Sequence, residues 1–281
     1  MLGLELFQED FMRRALLGIL LASLNCAVLG VYVVTRRMAF VSTALTHTIL
    51  PGVVFAFLQG FSLYWGAIVA AVLTALGIGG ISGKRELRED TAIGVVFSFM
   101  FALGVLMMSH SGSFRDFNEM LFGSALGVSE RDLWLIGGVT GVVFVLLALF
   151  HRGLKLSSYD EEYALLCGMS PFAMRLLLLL LVALSTVSCV RLVGALLTTA
   201  LLVTPAAAAL LVTRTLRAAM TLSALIGAAS GAGGLWLSAC FQRVPTGAAV
   251  VMVCSGFFFV IFAGRKLFVF FRRATDGNAA A

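Results

Sequence analysis

Apolar runs close to twenty residues long recur along this chain almost from end to end. They lie near 11–34, 40–58, 62–82, 91–110, 131–150, 172–191, 194–213, 218–240 and 247–268. A helix needs about 20 residues to cross the hydrocarbon core of a bilayer. Inside lipid the backbone must satisfy its own hydrogen bonds, which leaves only helices and closed barrels. Barrel strands would read as short alternating segments. These runs are too long and too uniformly apolar for that, so they predict helices. Apolar residues make up 60% of the chain and charged residues 12%, against about 25% charged in soluble domains. The expected fold class is an all-α integral membrane protein, a bundle of about 8–9 transmembrane helices forming one domain over 1–281.

The net charge of +6 is a topology signal rather than a nucleic-acid one, because the basic residues cluster at span ends. Arg36-Arg37, Lys84-Arg85-Arg88, Arg152-Lys155, Arg214-Arg217 and Arg265-Lys266-Arg272-Arg273 fall on one side if nine spans are counted. The positive-inside rule makes that side cytoplasmic, with the N-terminus outside and the C-terminus inside. Arg13-Arg14 then sit at the outer end of the first span; an amphipathic first segment, or eight full spans, is the alternative. The first run is long enough to span and lacks a cleavage pattern, so no cleavable signal peptide is expected. Cys26, Cys167, Cys189, Cys240 and Cys254 show no CxxC spacing and read as small packing residues.

Two hydrophilic stretches interrupt the spans. The first, 111–130, should face outward, with Met120-Leu121-Phe122 forming a short interfacial helix. The second, 151–171, should be cytoplasmic. There Ser157 or Ser158 is expected to cap a short helix over about 159–168, with Asp160, Glu161 and Glu162 in its first turn. Tyr163 and Ala164 continue it, Gly168 ends it, and Pro171 opens the next span. Small residues, from Gly227 to Gly234 and from Ala206 to Ala209, read as close helix packing.

The second span carries the most chemistry. His47 is the ionisable side chain placed deepest in any run, and such groups in lipid usually face a cavity or pathway. Thr43, four residues earlier, shares its helical face. Pro51, four residues later, has no N–H to give the His47 carbonyl. With Thr46 or Thr48 these groups make a polar spot in an apolar wall. Two readings stand: a transient metal ligand on a permeation path, since imidazole suits transition metals, or a structural histidine bonded to a neighbouring helix. Pro205 is expected to free the Leu201 carbonyl and break its helix, as at many transport sites. Met100, Met107 and Met108 fit core packing or a soft-metal path. His110 and His151 sit at span ends, where a solvated histidine needs no special role.

Nothing in the chain supplies energy. The sequence GGISGKR at 79–85 has neither the spacing nor the hydroxyl of a phosphate-binding loop, and no buried carboxylates of a proton-coupled carrier are visible. An ATP-driven process would need its motor on another chain.

Several ordered segments resemble one family. RRMAFVSTALTHTILPG at 36–52, EDTAIGVVFSFMFALGV at 89–105, LFGSALGV at 121–128, GALLTTALLVTPAAAA at 194–209 and VPTGAAVV at 244–251 are similar to landmarks of the permeases of bacterial ATP-binding cassette (ABC) importers for manganese, zinc and iron. The resemblance runs from about 11 to 264.

It implies a type II ABC importer-like permease in the bacterial inner membrane. The chain itself would be no enzyme and would keep no permanent cofactor; its substrate would be a divalent metal. Its partners would be cytoplasmic ABC ATPase subunits, a second permease subunit (the same chain or a paralogue) and an extracytoplasmic metal-binding protein, with no nucleic acid. The 159–168 helix would be the coupling helix, and His47, with Thr43 and Thr46 beside it, would touch the metal. Arg115, Asp116, Glu119, Arg131, Arg191 and Arg243 are the charges topology offers for docking the binding protein. One departure stands out: the family's Asp, four residues before the His, is Thr43 here, and the adjacent Gly is Ser42. Losing a carboxylate weakens a hard-cation site. A permease for a metal chelate and an ATP-independent metal channel or carrier are the alternative readings.

Overall fold

The computed structural model describes residues 10–82, 88–111, 129–241 and 244–278, and every regular element among them is helical. In chain order these are α1 (Asp10–Thr35), α2 (Phe40–Thr48), α3 (Leu50–Leu58), α4 (Leu63–Ser82), α5 (Glu89–Ser111), α6 (Glu130–Tyr159), α7 (Glu161–Leu166), α8 (Pro171–Val193), α9 (Ala195–Val212), α10 (Leu216–Cys240) and α11 (Thr246–Asn278). Taking α2 and α3 together as one crossing, nine segments among the described residues are long and apolar enough to span a membrane. Each coincides with an apolar run of the sequence. The expected interfacial helix at 120–122 lies outside the described residues.

α1 and α8 are the most enclosed crossings and α11 the least. α1 packs against α6, α8, α9 and α10, while α11 lies on α9 and α10. In lipid no hydrophobic gain drives helices together, so small and polar groups do that work. Ser185 donates to Asn25 Oδ1 at 3.1 Å between α8 and α1, and Ser223 donates to the Ala27 carbonyl at 2.8 Å between α10 and α1. Cys26 and Cys189 are both buried with their sulfurs 3.6 Å apart. The glycine-rich run in α10 meets α1 and α11 closely, at Gly227 against Ala27, Gly231 against Ile19 and Gly234 against Val250.

The two termini of α6 explain features the sequence left open. At the outer end, Ser129 caps α6 in a reciprocal box with Asp132. Asp132 also pairs with Arg191 at 3.0 Å, and Glu130 pairs with Arg14 at 2.6 Å. Arg14 therefore has an acidic partner on the outer face, so its position does not contradict the nine-span orientation. At the inner end α6 runs on to Tyr159, so Ser157 and Ser158 are helix interior and do not cap the next helix. Asp160 takes that role, its Oδ1 accepting from the Tyr163 amide at 2.9 Å. An acceptor with extended backbone must precede the first turn, and Asp160 is the residue with that geometry.

Pro205 does not break its span: α9 is one helix from Ala195 to Val212 with the proline inside it. Pro205 is buried, and packing against neighbouring helices keeps the segment helical despite one lost backbone bond. The break expected near Pro51 does occur, at Ile49, with Pro51 in the first turn of α3, where no N–H is needed. Directly after it, Gly52 of α3 and Gly66 of α4 face each other so closely that a Cβ on either would run into the other's carbonyl. Backbone on one side and backbone on the other leaves nothing that can yield. Gly52→Val is therefore expected to destabilise the protein by more than the usual overpacking cost of about 1–3 kcal/mol. A lowered melting temperature of the detergent-purified chain, relative to a Gly80→Val control in open space, checks this.

Candidate functional site

The α2–α3 break places His47 two residues before a helix interruption, at the last turn of α2. α2 packs on α5, α8 and α9. The His47 ring is half-buried and meets two rings of α5 edge-on, Phe97 at 6.3 Å and Phe101 at 6.0 Å between centroids. Phe97 and Phe101 stack on each other at 5.7 Å, and Phe40 of α2 closes the row against Phe97 at 5.9 Å. These aromatics orient the imidazole without using its nitrogens. Among the described residues His47 makes no side-chain hydrogen bond, so the reading in which a neighbouring helix bonds it is not what the structure has. The His47 carbonyl, which Pro51 cannot serve, accepts from the Ile49 amide at the break.

Of the two threonines grouped with His47, the structure treats them differently. Thr43 shares the half-buried face with His47. Thr46 is 1% exposed and donates to the Thr43 carbonyl at 2.8 Å, so its hydroxyl is turned onto the helix itself. Thr48 is likewise buried over the Leu45 carbonyl. Met100, Met107 and Met108 pack against the core cluster. Among the described residues no group of three or more His, Cys, Asp or Glu is assembled that could hold a metal ion. One imidazole beside one threonine offers a single nitrogen ligand and a weak oxygen. That is too little to retain a metal ion.

A second constellation, at the cytoplasmic ends of the helices, was missed at the level of sequence. Arg175 lies in the second turn of α8 and is only 9% exposed. Its Nε pairs with Glu89 at the start of α5 at 2.7 Å, and its Nη2 donates to Glu161 of α7 at 2.7 Å. Its Nη1 donates to the Ser82 carbonyl at the end of α4 at 3.0 Å. Arg36, just past α1, reaches into the same region and donates to Ser158 at 2.9 Å and Ser157 at 2.8 Å on α6. Burial lowers the Arg36 guanidinium from its ordinary value, and the Glu89 carboxylate pulls it back. The signal was present: Arg175 is a charge at the fourth position of an apolar run, and such residues come with partners.

α7 itself is fixed at both ends and exposed in the middle. After its last turn, Gly168 adopts φ 76°, and the Gly168 and Met169 amides bond back to the Leu165 and Ala164 carbonyls at 2.9 and 3.0 Å. This is a closed αL cap, whose positive φ only glycine adopts without strain. Ala164 is fully buried, while Tyr163, Leu165 and Leu166 project, Leu166 with 86% of its surface exposed. The helix thus presents an apolar knob on the cytoplasmic side.

The outer charges expected to dock a partner divide three ways. Arg191 is engaged with Asp132, Arg131 is exposed, and Arg115, Asp116, Glu119 and Arg243 lie outside the described residues.

Breaking a buried ion cluster by removing its cation leaves two carboxylates facing each other, at a cost of up to about 3–5 kcal/mol. Arg175→Gln is expected to lower the melting temperature of the purified chain clearly, and Arg175→Lys to recover part of it, since an ammonium keeps the charge but not the three-way fork. Equal melting for wild type and Arg175→Gln would show that the joint carries no energy.

Comparison with known proteins gives concordant results. A sequence profile described as the ABC 3 transport family matches residues 8–265. The manganese transport system membrane protein MntC of Halalkalibacterium halodurans is 36% identical over 259 residues, covering 92% of this chain and 88% of that one. A probable iron transport system membrane protein of Haemophilus influenzae is 33% identical over 264 residues, covering 94% and 97%. Among solved structures, PsaBC from Streptococcus pneumoniae in complex with Fab superposes with a TM-score of 0.80 at 32% identity, covering 91% of this chain and 92% of that one.

Proposed function

The chain belongs to the ABC 3 transport family, and from that premise we propose that it is the permease subunit of an ABC importer carrying a divalent transition metal ion into the cytoplasm of a bacterium. The observation that carries the metal assignment is the half-buried imidazole of His47, oriented by Phe97 and Phe101 with no hydrogen bond among the described residues. Manganese and iron are the metals named for its relatives.

In this reading the ion passes along the face of α2 and α5 and meets His47 as a passing ligand. Thr43 offers a hydroxyl on the same face, whereas Thr46 supports the helix and stays off the path. Imidazole nitrogen accepts manganese, iron and zinc alike, with affinity set by the remaining ligands. A second permease subunit facing this one supplies the rest of the coordination sphere, which a single copy does not assemble. The metal is substrate, and no resident cofactor is required.

ATP hydrolysis belongs to separate cytoplasmic ATPase chains. α7, with its exposed Tyr163, Leu165 and Leu166, is the piece that seats in them. Motion of α7 reaches the path through Arg175: Glu161 moves with α7, and Glu89 begins the helix whose Phe97 and Phe101 pack on His47. Alternating access then follows as a shift of α5 against α2, with the outer loops receiving metal from an extracytoplasmic binding protein.

The test is uptake of radiolabelled manganese, iron and zinc in cells carrying the transporter. His47→Ala is expected to cut uptake at least about tenfold, the effect of losing roughly 1.4 kcal/mol, with chain abundance and ATPase association unchanged. Thr43→Asp is expected to shift preference toward manganese, because a carboxylate suits the harder cation. Uptake unaltered by His47→Ala would remove the histidine from the path.

A further inference from the structure

A groove of about 530 Å³ opens on the flank of the bundle between α1, α6 and α10, away from α2 and α5. Its walls are apolar, with Leu24 and Val28 of α1, Phe144 and Leu147 of α6, and Met220 and Ala224 of α10. Three of its lining residues are polar, Thr221 on the wall and His151 and Arg217 at one end. His151 and Arg217 stand at the cytoplasmic end, because α1 and α6 run inward while α10 starts there. From Arg217 to Ala224, or from Phe144 to His151, the groove extends about 10 Å along the helix axes at about 1.5 Å per residue. That is some two-thirds of one leaflet's hydrocarbon, whose full core is about 30 Å.

The cytoplasmic rim carries a fixed positive charge at Arg217, beside the His151 imidazole. Arg217 is exposed and makes no ion pair among the described residues. It sits in the first turn of α10, behind the Thr215 cap, where the helix dipole adds positive potential. His151 has Arg217 and Lys155 as its charged neighbours, and no carboxylate lines the groove. The His151 ring is held in place by the fully buried Tyr32 hydroxyl, 2.6 Å from its Nδ1, which leaves Nε2 as the ring nitrogen open to a ligand. An apolar slot entering one leaflet, with the unpaired Arg217 cation and an imidazole nitrogen at its headgroup end, has the chemistry to take a phospholipid that carries negative charge.

We propose that this groove seats an acyl chain of an anionic phospholipid of the inner leaflet, with its phosphate held at Arg217 and His151. The lipid would fill the seam between α1, α6 and α10 near the cytoplasmic face, on the side of α6 that leads into α7. This site is separate from the transport path, and its test does not depend on transport.

The full chain, purified and stripped of lipid in mild detergent, is mixed with phosphatidylglycerol or phosphatidylethanolamine of identical acyl chains, and bound lipid is counted by native mass spectrometry. Wild type is expected to retain the anionic lipid several-fold more than the zwitterionic one. Arg217→Gln, at an exposed position that does not threaten folding, should reduce that preference to near one. Thr221→Trp, which projects bulk into the groove from another exposed position, should lower retention of both lipids. Equal retention of the two lipids by wild type overturns the proposal, as does a preference for phosphatidylglycerol that survives both substitutions. A chain that instead purifies as a dimer trapped by a disulfide at Thr221→Cys would assign the groove to a second copy and overturn it equally.

Discussion

The guanidinium of Arg175 holds four helices at one point. It is placed by the first turns of α8, takes the carboxylate that begins α5, the carboxylate that begins α7 and the carbonyl that ends α4. A charge nine-tenths buried at a membrane boundary is tolerated when opposite charges and acceptors surround it. The consequence is mechanical: α7 cannot be displaced without loading Glu161, Arg175 and Glu89 in turn. Because α5 carries Phe97 and Phe101, the same chain of contacts ends on the His47 ring. In the proposed function, coupling between α7 and His47 would run through these direct contacts and the packing of one helix against another.

In the proposed reading, the His47 face is half of a site. His47 and Thr43 share an accessible face, while Thr46 and Thr48 close onto their own backbone. Aromatic rings bracket the imidazole and keep its nitrogens uncommitted among the described residues. A lone nitrogen ligand binds a metal weakly, as the proposed transport step requires of an ion that must leave. Exposure of Phe40 and Phe101 in the single chain fits a face completed by another subunit.

The crossings were legible in the sequence because lipid imposes a length on every apolar run, and the fit of α1, α4, α8 and α10 to those runs is close. The α2–α3 break was legible through Pro51. Pro205 carries the same residue type and reads the same way locally, yet its helix stays whole, since burial among neighbours decides whether a missing bond opens the chain. The cap of α7 fell to Asp160 rather than Ser157 or Ser158 because α6 continues two turns past the apolar run, and no hydrophobic pattern marks that extension. Arg175 and Glu89 were hidden for a different reason. They are 86 positions apart in sequence, and only the packing of both α8 and α5 on α4 brings them together.

The claim on which the account rests is that this chain moves metal only when ATP is hydrolysed by a partner docked on α7. The most direct measurement is accumulation of labelled manganese or iron in sealed vesicles holding the purified permease with its ATPase and binding protein, compared with ATP, a non-hydrolysable analogue and no nucleotide. The account predicts accumulation against the gradient with ATP alone, and none in vesicles with Leu166→Asp, which removes the apolar tip of α7. Equal metal entry with and without ATP would contradict it and make the chain a passive conduit.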